Sequence, residues 1–255
     1  MPTPKTWRGL IEAAVSRIPP PLTAMTFLSK WSTLCKPVLF ECNDRNLYVV
    51  KGRENRRALM NEYMVGRLGA AMGAPVPSVQ IVHIAQELIS DEPEIQHMES
   101  GLAHGSAYIK DTIDKYSDLH YGNQRENRPR FAGLSILFGL VYARDVQLIY
   151  SKSKPNIVYS IDHAEFFPGW VDDWNPKFLR DAEPAAPYHR IRIMIGLTSQ
   201  ELTRAMDQLA EITNHDIAEA VAGCVDEWGV SDLDRLERAE YIASRRDKLL
   251  GTVAA

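Results

Sequence analysis

The sequence predicts an α+β protein in which a small antiparallel β unit with one helix precedes a mainly helical part. Short apolar runs separated by turn residues fill the region from residue 25 to about residue 82, a pattern typical of strands in a meander. From residue 199 to 250, apolar residues instead recur at helical spacing. A chain of 255 residues can form one large domain or two small lobes.

Composition and charge argue against several classes of protein. The chain is 45% hydrophobic and 24% charged, with a formal net charge of −4, so no overall field favours nucleic acid or an anionic membrane. Three cysteines without CxxC spacing make a disulfide framework or a zinc site unexpected. We find no apolar run of the roughly 20 residues that span a membrane and no pattern of a signal peptide. We therefore expect a cytoplasmic protein with no direct nucleic-acid or membrane partner.

The first elements follow from simple stop and turn signals. A helix is predicted over residues 6–18 and ends at three prolines, so residues 1–24 form a docking segment or a flexible arm. The connection after the first strand, residues 29–36, contains no glycine, although phosphate-cradling loops usually need glycine for close backbone approach. The hydroxyls of Ser32 and Thr33 could substitute. The three predicted strands cover residues 27–28, 38–40 and 47–50.

A lysine and a glutamate stand out in the next segment. Lys51 directly follows the third strand, and Glu62 lies in the middle of a helix predicted over residues 56–72, which Gly73 and Pro75 end. Each has an ordinary interpretation. A lysine at a strand end often only covers apolar surface with its aliphatic part, and a mid-helix glutamate is often exposed.

The region from residue 76 to 130 carries a mixture of strand and loop signals. Residues 76–82 predict a strand and residues 87–89 a possible second one, which gives the order β-β-β-α-β-β. Residues 91–105 are polar and predict a loop, and residues 106–109 predict a strand that contains Tyr108. The histidines His104 and His120 have no ligand spacing, and we interpret both as structural or exposed.

Two aspartates bracket a predicted strand in the second half. A helix over residues 130–143 leads to Arg144 and Asp145, and a strand over residues 157–161 leads to Asp162. Two carboxylates at the ends of apolar runs suit a divalent metal and the hydroxyl that attacks a phosphate, although aspartates are also common at ordinary turns. Two further helices are predicted over residues 199–224, with a possible break near Asn214, and 233–250.

The order of these signals carries a resemblance to a known family. The segments are YVVK at 48–51, NEYMVGRLGAAMGAPVP at 61–77, HGSAY at 104–108, RD at 144–145, YSIDHAEFF at 159–167, DEWGV at 226–230 and RRDKLL at 245–250. In this order they resemble the HipA-like kinases, in particular short single-chain bacterial members. The resemblance implies a two-lobed protein-kinase-like fold, with a small nucleotide-binding lobe at 25–110 and a helical catalytic lobe at 111–255.

The resemblance also implies an activity and a set of roles. The activity is an ATP- and Mg²⁺-dependent transfer of the γ-phosphate to a Ser or Thr hydroxyl of a protein. Lys51 would grip the ATP phosphates and Glu62 would orient Lys51. Asp145 would accept or orient the substrate hydroxyl, Asp162 would bind the metal, and the backbone near Tyr108 would contact adenine.

One departure from the family pattern leaves alternatives open. An active catalytic loop of this class carries asparagine five residues after its aspartate, but this chain has Tyr150 there. Gln147 stands two residues after Asp145, and Glu165, three residues after Asp162, is another oxygen ligand to consider. The alternatives are a pseudokinase that acts as a binding or regulatory module, or a kinase of a small-molecule hydroxyl. The expected partner is a protein substrate or a regulatory protein.

Overall fold

The first part of the chain forms a closed β-barrel. In the computed structural model, which describes residues 2–116, 119–169 and 174–251, the barrel strands follow the order β1-β2-β3-β5-β4. The first three strands form the predicted antiparallel meander, β5 pairs antiparallel with both β3 and β4, and a parallel contact between β1 and β4 closes the barrel. The strands are β1 (Leu22–Lys30), β2 (Val38–Cys42), β3 (Leu47–Lys51), β4 (Val79–Ile84) and β5 (Gly101–Ala107).

A helix between β3 and β4 joins the barrel to the rest of the molecule. This helix, α2 (Ala58–Ala71), is buried along nearly its whole length, and it ends at Gly73 with φ +65°, as the glycine predicted. A Cβ on Gly66 would lie 2.3 Å from Val79 Cγ1, so glycine permits the close contact between α2 and the start of β4. Helix α2 belongs to the larger of two buried apolar clusters, whereas the barrel interior forms the smaller one.

Two predictions for this region were wrong. Residues 87–89 belong to a short helix, α3 (Gln86–Asp91), in which only Ile89 is buried, because a short apolar run does not distinguish strand from helix. The predicted loop at 91–105 contains the start of β5. This strand holds two glycines and His104, a composition poor in β-propensity, and it is a strand because β3 and β4 pair with it on both sides.

A second sheet carries the two aspartates. The strands β6 (Thr112–Tyr116), β7 (Gln147–Ser151) and β8 (Val158–Ile161) pair antiparallel in this order. The prediction of a single strand between Asp145 and Asp162 was therefore wrong, because residues 147–151 also form a strand, β7. The β7–β8 register places Gln147 opposite Ile161, so the chain just before β7 and just after β8 lies at the same end of the hairpin.

Helices pack around and beyond this sheet. Asn127–Val141 forms α4, which is buried along nearly its whole length, and a capping box of Thr198 and Glu201 begins α7, as the sequence pattern indicates. The predicted break near Asn214 separates α7 from α8. In the described part of the chain, no helix combines the length and the apolar character needed to cross a bilayer. The remaining helices are α5 (Pro176–Arg180), α6 (His189–Ile195), α7 (Ser199–Ala210), α8 (Asn214–Ala222) and α9 (Asp232–Gly251).

The N-terminal helix is a docked element. Helix α1 (Pro4–Val15) packs against α8 and α9 and buries Trp7, Ile11 and Ala14, which recur at helical spacing. Just after the helix, Arg17 forms an ion pair with Glu219 of α8. The chain then enters β1, so this segment links the helical part to the barrel.

Because α1 packs against α8 and α9, truncating Trp7 should lower the free energy of unfolding substantially. Trp7 is fully buried, so Trp7→Ala should lower the free energy of unfolding by about 3–5 kcal/mol, the usual cost of removing a large buried aromatic. Val15 on the same helix is 56% exposed, and Val15→Ala should change stability by less than about 0.5 kcal/mol. Urea unfolding of both variants measures the difference. Equally small effects at the two positions would contradict a docked helix.

Candidate active site

The site is built around a buried lysine that contacts two carboxylates. Lys51, the last residue of β3, donates hydrogen bonds to Glu62 Oε1 and, at 2.7 Å, to Asp162 Oδ1. Lys51 is 8% exposed and Glu62 4% exposed, so neither is the surface residue that its ordinary interpretation requires. Three separate elements, β3, α2 and the end of β8, therefore supply one cluster of charges.

The charges in this cluster are not equivalent. Burial acts to lower the pKa of Lys51, but the carboxylates of Glu62 and Asp162 outweigh it and hold that pKa above its ordinary value. Burial acts to raise the pKa of Glu62, but Lys51 holds it well below its usual range. Burial and then the nearby charge of Glu62 raise the pKa of Asp162. Lys51 and Glu62 thus form the primary pair. Asp162 has the more exposed side chain of the two carboxylates, so it is the one that another cation can reach.

Helix α2 also holds the backbone that directly follows Asp162. Glu62 Oε2 accepts the backbone N–H of His163 at 3.0 Å. The adjacent Asn61 donates to the carbonyls of Ala164 and Phe166 at 2.6 and 2.7 Å. Asp162 has φ +56°, a conformation that is costly for a non-glycine residue and persists only where the surroundings impose it. These contacts from α2 impose it here.

A glutamine stands between the two aspartates. Gln147 Nε2 lies 3.4 Å from Asp145 Oδ2 and 3.3 Å from Asp162 Oδ2, so both carboxylates face one amide group at the end of the β7–β8 hairpin. Asp145 also has positive φ, +43°, and its side chain is exposed. The structure thus brings together all three of these residues that the sequence singled out.

Tyr150 and Glu165 lie away from this meeting point. Side chains alternate along a strand, so Gln147 and Ile149 line the cleft while Tyr150 points into the core, where it is fully buried and packs against Tyr121. The position that faces the two aspartates is therefore Gln147, two residues after Asp145. Glu165 instead approaches Arg144: its carbonyl accepts from Arg144 Nε at 3.0 Å, and its carboxylate lies 3.7 Å from Nη2.

A cavity of about 170 Å³ extends from this charge cluster to the C-terminal end of β5 and the residues just after it, Tyr108 and Ile109. We call the part near Lys51 its inner end and the part near Tyr108 its outer end. Thr33 lines it and Ser32 does not. Sequence reasoning missed Trp31 and Asp114, because an isolated aromatic at a strand end and an acid in an unassigned strand give no distinctive signal. The cavity is lined by Trp31, Thr33, Pro37, Val49, Lys51, Glu62, Pro77, His104, Ser106, Ala107, Tyr108, Ile109, Thr112, Asp114, Gln147, Ile149, Ile161 and Asp162.

Two larger open cavities, of about 430 and 420 Å³, lie against α9 and around the end of α4. Neither is lined by Lys51, Glu62 or Asp162. The smaller cavity is therefore the chemically relevant one of these three, because it joins apolar walls to the buried charges of Lys51, Glu62 and Asp162.

Two of the three backbone N–H groups at residues 107–109, at the end of the cavity away from Lys51, already donate hydrogen bonds within the protein. The N–H of Tyr108 donates to Leu47 at 2.9 Å, and that of Ala107 donates to Ser78 at 2.8 Å. The N–H of Ile109 has no hydrogen-bond partner among the described residues. A flat ligand in the cavity would thus meet the Ile109 amide, one residue beyond the predicted Tyr108.

Comparison with known proteins gives a family and a fold. A model of the HipA-like kinase family matches residues 31–254, while no curated protein matches the sequence. The crystal structure of a Helicobacter pylori proinflammatory kinase, CtkA, has 10% sequence identity and a TM-score of 0.58, over 91% of this chain and 97% of that one. A crystal structure of the Golgi casein kinase has 12% identity and a TM-score of 0.41, over 100% of this chain and 78% of that one. The first of these similarities shows a shared kinase fold.

The ion pair between Lys51 and Glu62 predicts that the stability difference between wild type and Glu62→Gln depends on pH. Glu62→Gln should lower the free energy of unfolding by roughly 3 kcal/mol, the lower end of the cost of breaking a buried pair, because Asp162 still faces Lys51. The contribution of a carboxyl whose pKa is depressed is complete above its ordinary value, here 4.5, and is lost as the pH falls further. The gap between wild type and Glu62→Gln should therefore stay constant from about pH 6 to 8 and narrow below about pH 4.5.

Chemical unfolding across this pH range measures that gap. Glu87→Gln is the matched control, because Glu87 is exposed on α3 and its substitution should change stability by less than about 0.5 kcal/mol. A gap that widens on acidification would contradict the assigned pairing of Glu62 with Lys51.

Proposed function

Because the chain belongs to the HipA-like kinase family, we propose that it is an ATP- and Mg²⁺-dependent kinase that transfers the γ-phosphate to a Ser or Thr hydroxyl of a protein. The observation that carries the proposal is Lys51, held between Glu62 and Asp162 at the inner end of an apolar cleft. In this proposal the barrel with α2 is the small lobe of a kinase, and the helical part is the large lobe.

The cleft suits a nucleotide base. Val49 lines one side, and Ile149 and Ile161 of the second sheet line another, so a flat apolar ring finds contacts on both faces. Trp31 reaches over the outer end, where its ring centroid lies 6.5 Å from that of Tyr108. The Ile109 N–H supplies a hydrogen-bond donor at the edge of the base.

The connection between β1 and β2 suits phosphate despite its lack of glycine. Trp31 N–H donates to Pro37 at 3.0 Å, which closes a tight loop. Within the described residues, the backbone N–H groups of residues 32–35 donate no hydrogen bond, so they remain available to an anion. Lys51 is the cation that faces the same space.

The residues near Asp162 fit Mg²⁺ chemically. Among the described residues, no group of three or more His, Cys, Asp or Glu side chains forms a metal cage. Mg²⁺ in nucleotide enzymes is usually bound by one or two carboxylates plus phosphate and water. Asp162 supplies such a carboxylate, and Gln147 can present its amide oxygen by rotating the amide. When bound, the ion would neutralise the charge of the β- and γ-phosphates.

Asp145 has the exposure that a substrate-facing group needs. Its carboxylate lies at the mouth of the cleft, where it can accept a hydrogen bond from an incoming hydroxyl and align it with the phosphate. Neighbouring Arg144 donates to the carbonyls of Glu165 and Gly169 and so holds the segment after Asp162 beside the same mouth. Positioning of this kind, rather than covalent chemistry, is the main task of a kinase site.

The proposal predicts separable effects of the two aspartates. ATP with Mg²⁺ at a hundredfold excess over its Kd should raise the free energy of unfolding by about 2.7 kcal/mol. Asp162→Asn should remove the dependence of this stabilisation on Mg²⁺. Asp145→Asn should retain it and lower transfer of labelled γ-phosphate to a protein mixture by about 10²–10⁴-fold. Thermal unfolding and phosphate incorporation measure the two quantities.

Asp91→Asn, at an exposed position at the end of α3, is the control and should match wild type in both assays. Absence of stabilisation by ATP would overturn the proposal. Stabilisation without any phosphate transfer would identify a nucleotide-binding regulatory module instead.

Stacking by Trp31 gives an independent prediction. Trp31→Ala should weaken ATP binding by about 1–3 kcal/mol, the usual value of a base–aromatic stack, and Trp31→Phe should retain most of the affinity. ATP should also change the tryptophan fluorescence of wild type more than that of Trp31→Phe. Met25→Ala is the control, because Met25 is 58% exposed on β1. An unchanged affinity in Trp31→Ala would show that the base does not lie under this ring.

A further inference from the structure

A second open cavity reaches the residue that precedes Asp145. It has a volume of about 420 Å³ and is lined by the end of α4, by the segment 183–188 and by the first turn of α6. Arg144 lines it too, and the Cα atoms of Arg144 and Asp145 are about 3.8 Å apart, as in any two adjacent residues. The cavity shares no lining residue with the proposed nucleotide cleft. It therefore approaches the proposed catalytic aspartate from a different side.

The walls of this cavity are fixed to the core. A Cβ on Gly139 would lie 2.2 Å from the carbonyl oxygen of Ala186, so the segment 183–188 lies directly on α4. Arg245 of α9 donates to the carbonyls of Gly139 and Glu183 and so ties the two walls together. The segment also contains two prolines, which restrict its backbone. A ligand therefore meets a preformed groove.

The charges that line this groove are mainly positive. Its described lining residues include three arginines, Arg144, Arg190 and Arg245, and one acid, Glu183. Arg144 also lies 3.7 Å from the Glu165 carboxylate. The guanidinium of Arg245 donates to main-chain carbonyls, which carry no net charge and so do not cancel its own. Because the whole chain has a net charge of −4, this positive excess is a local feature.

The exposed side of α6 continues the positive surface and adds apolar groups. His189, Arg190 and Arg192 are all exposed, and the side chain of Arg192 makes no hydrogen bond or ion pair with the described residues. Beside them, Ile193 is 57% and Met194 62% exposed. Arginine and methionine are enriched at protein–protein interfaces, and exposed apolar groups rimmed by polar ones mark such surfaces. The apolar pair therefore favours a protein partner over a nucleic acid.

We propose that this groove and the exposed side of α6 form one docking surface for an acidic segment of the protein substrate. The inference rests on the proposed function, because it names the chemistry of the substrate of that same kinase site. Aspartates or glutamates of the segment face Arg190 and Arg192, and an apolar side chain covers Met194. The Ser or Thr to be modified then reaches Asp145 past Arg144. Charge complementarity of this kind sets the register of a bound segment and excludes partners of the wrong sign.

Two fluorescently labelled peptides test the docking surface directly. One contains a single serine, a single leucine and several aspartates, and the other has lysine in place of each aspartate. Fluorescence anisotropy measures the Kd of each peptide at low and at high salt. In wild type we expect the acidic peptide to bind at least about tenfold more tightly, because partly exposed ion pairs are gained in one case and repulsion in the other. The difference should shrink with added salt.

A charge reversal assigns this preference to α6. Arg192→Glu should weaken binding of the acidic peptide by about three- to tenfold and strengthen binding of the lysine peptide, because one contact changes sign. A gain for one peptide cannot result from unfolding. Met194→Ser should weaken binding of both peptides equally and independently of salt. Arg8→Glu is the matched control, because it makes the same charge change at an exposed position of α1 and should keep the wild-type Kd values.

Phosphate transfer to the same peptides gives a second readout. With Mg²⁺ and ATP, the preference of wild type for the acidic peptide should be found in KM rather than in kcat, because the docking contacts lie away from the reacting atoms and are the same before and during transfer.

The outcomes separate this inference from the proposed function. Equal binding of the two peptides by wild type, or a preference that Arg192→Glu leaves unchanged, would overturn the docking surface alone. Binding of a DNA duplex as tightly as the acidic peptide, weakened by the same reversal, would also overturn it and identify a general polyanion site. The expected binding and reversal, without phosphate transfer to the peptide or to a protein mixture, would support the docking surface and overturn the proposed function.

Discussion

The ion pair between Lys51 and Glu62 is the constraint on which the rest of the site depends. Two charges taken out of water lose hydration worth several kcal/mol each, and a pair recovers this only with good geometry and further hydrogen bonds. Here Asp162 and the His163 amide supply the further bonds. The pair can therefore form only when β3, α2 and the end of β8 are all in place, so the fold and the site stabilise each other.

Helix α2 links the position of the Lys51 side chain to the position of Asp162. Adjacent residues of one turn, Asn61 and Glu62, bind the segment from His163 to Phe166, while the opposite faces of the helix are buried in the main core. A displacement of α2 would remove the partner of Lys51 and release the backbone that imposes positive φ on Asp162. Both losses would come together, because a packed helix moves as a unit rather than residue by residue.

The sequence of this chain predicts local features, such as the ends of strands and helices, better than it predicts which strands pair and in which register. Lys51 and Asp162 follow apolar strands directly, and the end of α2 follows from Gly73, so each can be found from a few neighbouring residues. The strand β5 could not be predicted, because its glycines and His104 favour no strand and only its two neighbours impose one. Tyr150 shows the same limit: the spacing taken from other kinases placed it at the metal, but the register of β7 turns it into the core and presents Gln147.

The connection between β1 and β2 contains no glycine but still leaves backbone N–H groups available for a ligand. Glycine serves such loops by letting backbone N–H groups approach phosphate, and here the amides at 32–35 are available although every residue has a side chain. The connection is held instead by the Trp31–Pro37 hydrogen bond and by His97, which binds the Lys36 carbonyl at 3.1 Å. The large ring of Trp31 then covers the cleft beside Tyr108. Under the proposed function, this connection therefore contacts the base through Trp31 and the phosphates through its backbone amides, so one short loop serves both parts of the nucleotide.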